Sequence, residues 1–242
     1  MNLFCFAYAG GSASIFKKWD KFISGSVQIV PVEIPGRGTR FLEPLCGDME
    51  QLVSMIYQQF IQQMNEKEYS LYGHSMGSWI VHYLLFKIAE NGDRMPENVY
   101  VSGKEAPHIR KKGVLFHELE DGEFMRKIYR LGGTPLELLE NEEFLTIYIP
   151  ILKNDYKLIE TCHYQKPQKR YHMDITVFNG IEDELTTEDI YGWKEYTDGA
   201  FQVCNFDGGH FFIHDHAREM LQIIEKQAEL KHSMKGAMAW TK

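Results

Sequence analysis

A serine with glycines two residues to either side, Gly73-His74-Ser75-Met76-Gly77, is the pattern in this chain that most directly implies chemistry. It fits G-x-S-x-G, a turn that holds a nucleophilic serine between a strand and a helix. The geometry explains the residue types: the turn is strained, and side chains at the two glycine positions would collide with crossing backbone. The preceding run Tyr69-Ser70-Leu71-Tyr72 reads as a strand and Met76 to Ala89 as an apolar helix, so the serine stands in the required context. The alternative is a tight turn with a solvent-facing serine.

A serine hydroxyl needs a base to remove its proton. Where this elbow is used on a parallel sheet, an acid and then a histidine follow the serine in chain order. His210, in Asp207-Gly208-Gly209-His210-Phe211, follows the last predicted strand and precedes the last helix, and its two glycines let the loop cross toward the elbow. Asp183, in Asn179-Gly180-Ile181-Glu182-Asp183, comes directly after the strand Ile175 to Phe178 and is the preferred acid to orient the imidazole. Glu182 is the other contender, and Asp207 lies too near His210 in sequence. Two backbone N–H groups must meet the developing oxyanion. Met76, the residue after the serine, is expected to supply one, and Ala9, in Ala7-Tyr8-Ala9-Gly10-Gly11 after the first strand, the other. His210, His214 and His216 have spacings that could ligate a metal. His214 and His216 are expected to open the last helix and diverge, with no carboxylate cluster near, so neither metal nor cofactor is expected.

The elements that must hold these groups follow from periodicity. Short apolar runs at Leu3 to Ala7, Val27 to Ile34, Tyr69 to Tyr72, Val99 to Ser102, Asp174 to Phe178 and Phe201 to Phe206 alternate with helical patterns over Ser12 to Phe22, Met49 to Met64 and Met76 to Ala89. Such alternation predicts an α/β fold with a mostly parallel sheet covered on both faces. Residues 113–165 break the rhythm with helical patterns alone: one over Asp121 to Leu131, a second beginning near Leu136, and a stretch from Leu145 to Leu152 that is apolar nearly all round. A helix apolar on every side needs cover. Lying between two sheet strands, the segment is read as a lid sheltering an apolar ligand, with buried core as the alternative.

Composition bounds the rest. The 242 residues are 44% apolar and 25% charged, enough for one sizeable core, and a single domain over 1–242 is expected. The net charge of −8 disfavours broad binding to nucleic acid or anionic membrane. There is no apolar run of the ~18 residues a membrane span requires and no basic start typical of a signal peptide. Cys5, Cys46, Cys162 and Cys204 form no CxxC pair. A reduced, soluble, cytoplasmic monomer is expected.

Taken together, Phe6-Ala7-Tyr8-Ala9-Gly10-Gly11-Ser12-Ala13, Ile34-Pro35-Gly36-Arg37-Gly38, the elbow, Leu131-Gly132-Gly133-Thr134-Pro135, and the Asp183 and His210 motifs resemble the stand-alone type II thioesterases of nonribosomal peptide and polyketide synthesis, especially the surfactin-type editing enzymes. The resemblance runs from Leu3 to about Glu229. Ala7 departs from it, since the family more often has proline there. The tail 231–242 matches nothing and is expected to fray. The resemblance implies an α/β-hydrolase fold and hydrolysis of acyl groups from the phosphopantetheine arm of a carrier protein through an acyl-serine, with Ser75, His210 and Asp183 in the roles above. An acyl-loaded carrier is the implied partner, and Arg110, Lys111 and Lys112, in the densest basic cluster, are the candidate contacts for it. A general esterase or acyltransferase on the same fold, or an idle synthetase-binding subunit, are the alternatives.

Overall fold

Strand β1 (Asn2–Phe6) is buried at all five positions, which is why its sequence is a continuous apolar run rather than an alternating one. In the computed structural model, which describes residues 1–109, 113–132, 141–164 and 169–239, it lies inside a six-stranded sheet. The other strands are β2 (Gln28–Pro31), β3 (Tyr69–His74), β4 (Asn98–Ser102), β5 (Asp174–Gly180) and β6 (Phe201–Phe206). Their order is β2-β1-β3-β4-β5-β6, and every adjacent pair is parallel.

Side chains alternate between the two faces. Phe4, Phe6, Leu71, Val99, Val101, Ile175 and Val177 pack with helices α1 (Met49–Glu66) and α2 (Met76–Glu90). Leu3, Cys5, Tyr72, Tyr100 and Phe178 face the other way, against the short 3-10 helix Ala13–Lys21 and helix α6 (Ala217–Ala239). Helix α1 begins where Asp48 accepts a hydrogen bond from the Gln51 N–H at 2.7 Å, and its buried face is Leu52, Val53, Ile56 and Met64. Helix α2 is buried at most positions, as its apolar sequence requires.

Between β4 and β5 the chain adds helices α3 (Asp121–Leu131) and α4 (Glu142–Thr161). Phe124 and Ile128 of α3 join Leu152 of α4 in a small separate cluster. The all-round apolar stretch of α4 is not covered on every side, however: Ile147 is 50% exposed. Helix α5 (Thr187–Tyr191) is short and opens with a capping box between Thr186 and Asp189. The predicted second helix near Leu136 lies outside the described residues.

The tail departs from expectation. Helix α6 continues through residues 231–239 because lysines on its underside find carboxylates at the N-terminal ends of the strands. Lys231 Nζ lies 2.9 Å from Asp174, and Lys235 Nζ lies 3.0 Å from Glu68 and 2.6 Å from Glu97. Among the described residues, no helix is long and apolar enough to cross a membrane.

Strand order fixes where a site can form. The chain leaves β1 toward β2 on one side, whereas β3 connects onward to β4 on the other, so the loops after β1 and β3 part and leave a crevice at their C-terminal ends. Ala9 and Ser75 sit on those two loops.

Candidate active site

Ser75 is at φ 53° and ψ −115°, the one non-glycine residue at positive φ among those described. For a serine this is strained backbone, retained because its surroundings allow no relaxation. A Cβ on Gly73 would sit 2.2 Å from the Gly77 carbonyl oxygen, and one on Gly77 would sit 2.1 Å from that of Phe6, so side chains are excluded at both positions. The Ser75 N–H donates to the Ser102 carbonyl at 2.8 Å. Beneath it the buried Ser78 hydroxyl lies 2.8 Å from the Gly73 carbonyl and 2.9 Å from that of Ser102, and accepts from the Ser102 N–H at 3.1 Å. These bonds tie the elbow to β4.

The loops after β5 and β6 are joined by backbone hydrogen bonds, Ile181 N–H to the Phe206 carbonyl at 2.9 Å and Glu182 N–H to that of Gly208 at 3.0 Å. Across this junction His210 Nδ1 and Asp183 Oδ2 are 3.0 Å apart, and their side chains are 23% and 8% exposed. Asp183 Oδ1 accepts from the Glu184 N–H at 2.8 Å. Glu182 and Asp207 are exposed. His214 belongs to a short turn over Phe212–His214 ahead of α6, and its Nε2 lies 3.2 Å from the Tyr8 hydroxyl. His216 packs its ring on Phe206. The three histidines therefore turn to different neighbours, and among the described residues no cluster suited to a metal is found.

Ser75 and His210 line one small cleft, open to solvent, with Tyr8 and Ala9 of the β1 loop. No hydrogen bond joins Ser75 to His210 directly; apo sites often hold such pairs loosely. The cleft is also lined by Ile128 of α3, by Leu152 and two tyrosines of α4 (Tyr148 and Tyr156), and by Phe211, whose ring lies against His210 and Tyr8. Among the described residues nothing accepts a hydrogen bond from the N–H of Ala9 or of Met76. Met76 opens α2, so its amide also carries the positive end of that helix.

His74 is wholly buried behind His210, with the two ring centroids 5.0 Å apart, and its Nδ1 is 2.9 Å from the Ser102 hydroxyl. Burial first, and then the charges of His210 and His214, hold its pKa well below the ordinary 6.5. Tyr8 stacks edge-on to both His74 and Phe211; burial, followed by Tyr148, pushes its hydroxyl up to about 12.

Arg110, Lys111 and Lys112 lie outside the described residues; their neighbour His108 has its Nδ1 3.0 Å from the Tyr196 hydroxyl. The sequence reading missed a pair adjoining the site, Arg37 and Asp155. Asp155 is wholly buried, and its carboxylate takes two guanidinium nitrogens at 2.5 and 2.6 Å. The available signal was a lone carboxylate on the same face of α4 as Leu152 and Ile159, since a charge on an apolar stripe demands a buried partner.

Known proteins resemble this chain over most of its length. The family model described as "Thioesterase domain" matches residues 1–228. The medium-chain S-acyl fatty acid synthase thioesterase of Rattus norvegicus is 34% identical over 88% of this chain and 81% of its own length. The protein named linear gramicidin dehydrogenase LgrE, from Brevibacillus parabrevis, is 33% identical over 92% of this chain and 86% of its own. Among solved structures, ClbQ of the colibactin NRPS/PKS pathway superposes with a TM-score of 0.91 at 33% identity, covering 96% of this chain and 98% of that one. With its parallel α/β-hydrolase-like sheet and a family match over nearly its whole length, the chain belongs to the thioesterase family, hydrolases of acyl thioesters.

Proposed function

We propose that this chain is a stand-alone type II thioesterase that removes misprimed or stalled acyl groups from the phosphopantetheine thiol of carrier proteins in nonribosomal peptide or polyketide synthesis. The observation that carries the reading is the meeting of Ser75, His210 and the Ala9 loop in one cleft, with Asp183 behind His210. Ser75 Oγ attacks the thioester carbonyl while His210 takes its proton. Asp183 holds the imidazole with Nδ1–H toward its carboxylate and stabilises the cation that forms. The N–H groups of Met76 and Ala9 receive the oxyanion. Collapse breaks the C–S bond, and the His210 imidazolium gives its proton to the departing sulfur, which releases the thiol and leaves His210 neutral; a thiol pKa of about 8.5 makes it a better leaving group than an alcohol. Water, deprotonated by His210, then attacks the acyl-serine; collapse of that second tetrahedral intermediate frees the carboxylic acid and returns the proton to Ser75.

In this reading the chain is one α/β-hydrolase domain over 1–242, acting as a monomer, with residues 113–165 as its lid. Arg110, Lys111 and Lys112 contact the carrier, so reversing the charge of Arg110 and Lys111 should weaken turnover of carrier-bound substrate more than of a small thioester. Cys5, Cys46 and Cys204 are thiols, which suits the cytoplasm as its location. A dehydrogenase activity, which one relative's name suggests, finds less support. After β1, where a dinucleotide fold would place G-x-G-x-x-G, this chain has Ala7-Tyr8-Ala9-Gly10-Gly11-Ser12.

The test is release of free thiol from an acetyl-loaded carrier protein and, separately, from acetyl-CoA, by wild type and Ser75→Ala. Release that is faster from the carrier and lost in the variant supports the reading, and release that persists without Ser75 overturns it.

A further inference from the structure

The loop that carries Ala9 is held from outside the sheet. Gly10 donates its N–H to Asp155 Oδ2 at 2.7 Å, and the carbonyl of the next residue, Gly11, accepts from Arg37 Nη1 at 3.4 Å. Arg37 and Asp155 are themselves joined through both guanidinium nitrogens and both carboxylate oxygens. Three separate pieces of chain thus meet at one buried ion pair: the turn after β2 (Arg37), helix α4 (Asp155) and the loop after β1 (Gly10 and Gly11). Arg37 is 5% exposed and Asp155 0%.

A buried pair of this kind is weak evidence for stability, because removing two charges from water costs much of what their attraction returns. What the arrangement does supply is orientation. Gly10 is at φ +75°, and a Cβ there would lie 2.6 Å from the Tyr148 hydroxyl and 2.8 Å from Leu152 Cδ1, so α4 lies directly on the loop. The N–H of Gly10, held by Asp155, directly follows that of Ala9, a residue that lines the cleft. Fixing the first direction limits the second.

We infer that Arg37 and Asp155 are positioning residues that aim the Ala9 N–H at the oxyanion by clamping Gly10 and Gly11, and that α4 reaches the chemistry through this clamp as well as through the cleft wall. The inference rests on the proposed acyl-serine chemistry for its kinetic consequence, while the clamp has a structural readout of its own.

Asp155→Asn leaves the Arg37 charge buried without its counter-ion, and Arg37→Lys keeps the charge but loses the two-nitrogen fork, so both serve only as partial variants. The informative protein carries Arg37→Met and Asp155→Leu together, replacing the pair with apolar side chains of similar reach, a change buried pairs often tolerate. Four quantities are compared with wild type: urea stability, kcat and KM for an acyl thioester, affinity for an acyl trifluoromethyl ketone that forms a tetrahedral adduct on Ser75, and amide exchange over residues 8–12. The expected double variant is folded, with exchange over 8–12 at least about tenfold faster, kcat lower by roughly 10–100-fold and KM within about threefold, and ketone affinity weakened in step with kcat. A folded double variant with wild-type kcat and ketone affinity overturns the inference, whatever its exchange rates. A loss confined to KM does so too. If the double variant fails to fold, the partial variants decide: a kcat loss in Asp155→Asn with matching ketone loss supports the clamp, and unchanged kcat rejects it. If wild type itself turns over no acyl thioester, the proposed function fails. The clamp is then judged on exchange over 8–12, where wild-type rates in the folded variants reject it.

Discussion

His210 Nδ1 lies 3.0 Å from Asp183 Oδ2, and the other oxygen of that carboxylate is taken by the Glu184 N–H. With one oxygen committed to its own turn and the other to the ring, Asp183 has little rotational freedom, and Nε2 is left to face the cleft. Asp183→Asn should preserve the fold yet reduce kcat by about 10³–10⁴-fold, because an amide can present its NH₂ and favour the wrong tautomer. Steady-state turnover of acetyl-loaded carrier, with thermal melting as the control, checks this. A loss below tenfold in a folded variant would remove Asp183 from the mechanism.

Gly77→Ala should be severely destabilising. The added methyl group, fixed directly to Cα, meets the Phe6 carbonyl oxygen at 2.1 Å, and the atoms it meets are backbone, so neither side can swing away. A cost of about 3 kcal/mol, the upper end for forced overpacking, is expected by urea unfolding. Gly113→Ala, where a Cβ meets nothing within 4 Å, serves as the comparison and should stay within about 0.5 kcal/mol of wild type.

Acid should weaken the fold through His74. Its folded pKa is depressed, so the unfolded chain binds a proton near pH 6.5 while the folded chain still refuses one. The stability contribution is therefore complete above about pH 6.5 and is lost as pH falls toward the folded value, at up to about 1.4 kcal/mol per pH unit for this one group. His214, also depressed chiefly by burial, adds in the same direction. Urea midpoints at pH 7, 6 and 5 should fall more steeply for wild type than for His74→Gln. Parallel slopes would contradict the burial argument.

Glu160, near the C-terminal end of α4, accepts from the N–H groups of Phe116 at 2.8 Å and His117 at 3.2 Å, and lies 2.5 Å from His117 Nδ1. It ties the segment leading into α3 to α4. Glu160→Ala should cost about 1–3 kcal/mol by leaving partly buried donors unpaired. Hydrogen exchange should quicken over residues 114–120 while β1 and β3 keep their protection; uniform acceleration would mean that the contact supports the whole fold.

Much of this protein was open to reading along the chain, wherever the physics is local. Short apolar runs such as Leu3 to Ala7 and Val99 to Ser102 announced strands buried on both faces, and the 3.6-residue spacing over Met49 to Met64 announced α1. The glycines at 73 and 77 announced a turn too tight for side chains. Each of these depends on sterics or solvent contact within a few residues. Ser75, Asp183 and His210 come to one edge because a parallel sheet returns the loops after β3, β5 and β6 to the same side.

Contacts between distant segments were decided only in three dimensions. Asp155 lies 118 residues from Arg37, and nothing in the spacing of either says that α4 lands over the β1 loop. The same holds for the tail, expected to fray, where Lys231 and Lys235 meet Asp174, Glu68 and Glu97 across the sheet's lower edge. Ile147, expected to be covered, is half-exposed because the packing of α4 covers it only in part. Local sequence sets which faces are apolar and which turns are strained. Which charges end up buried together is settled by how the finished elements pack.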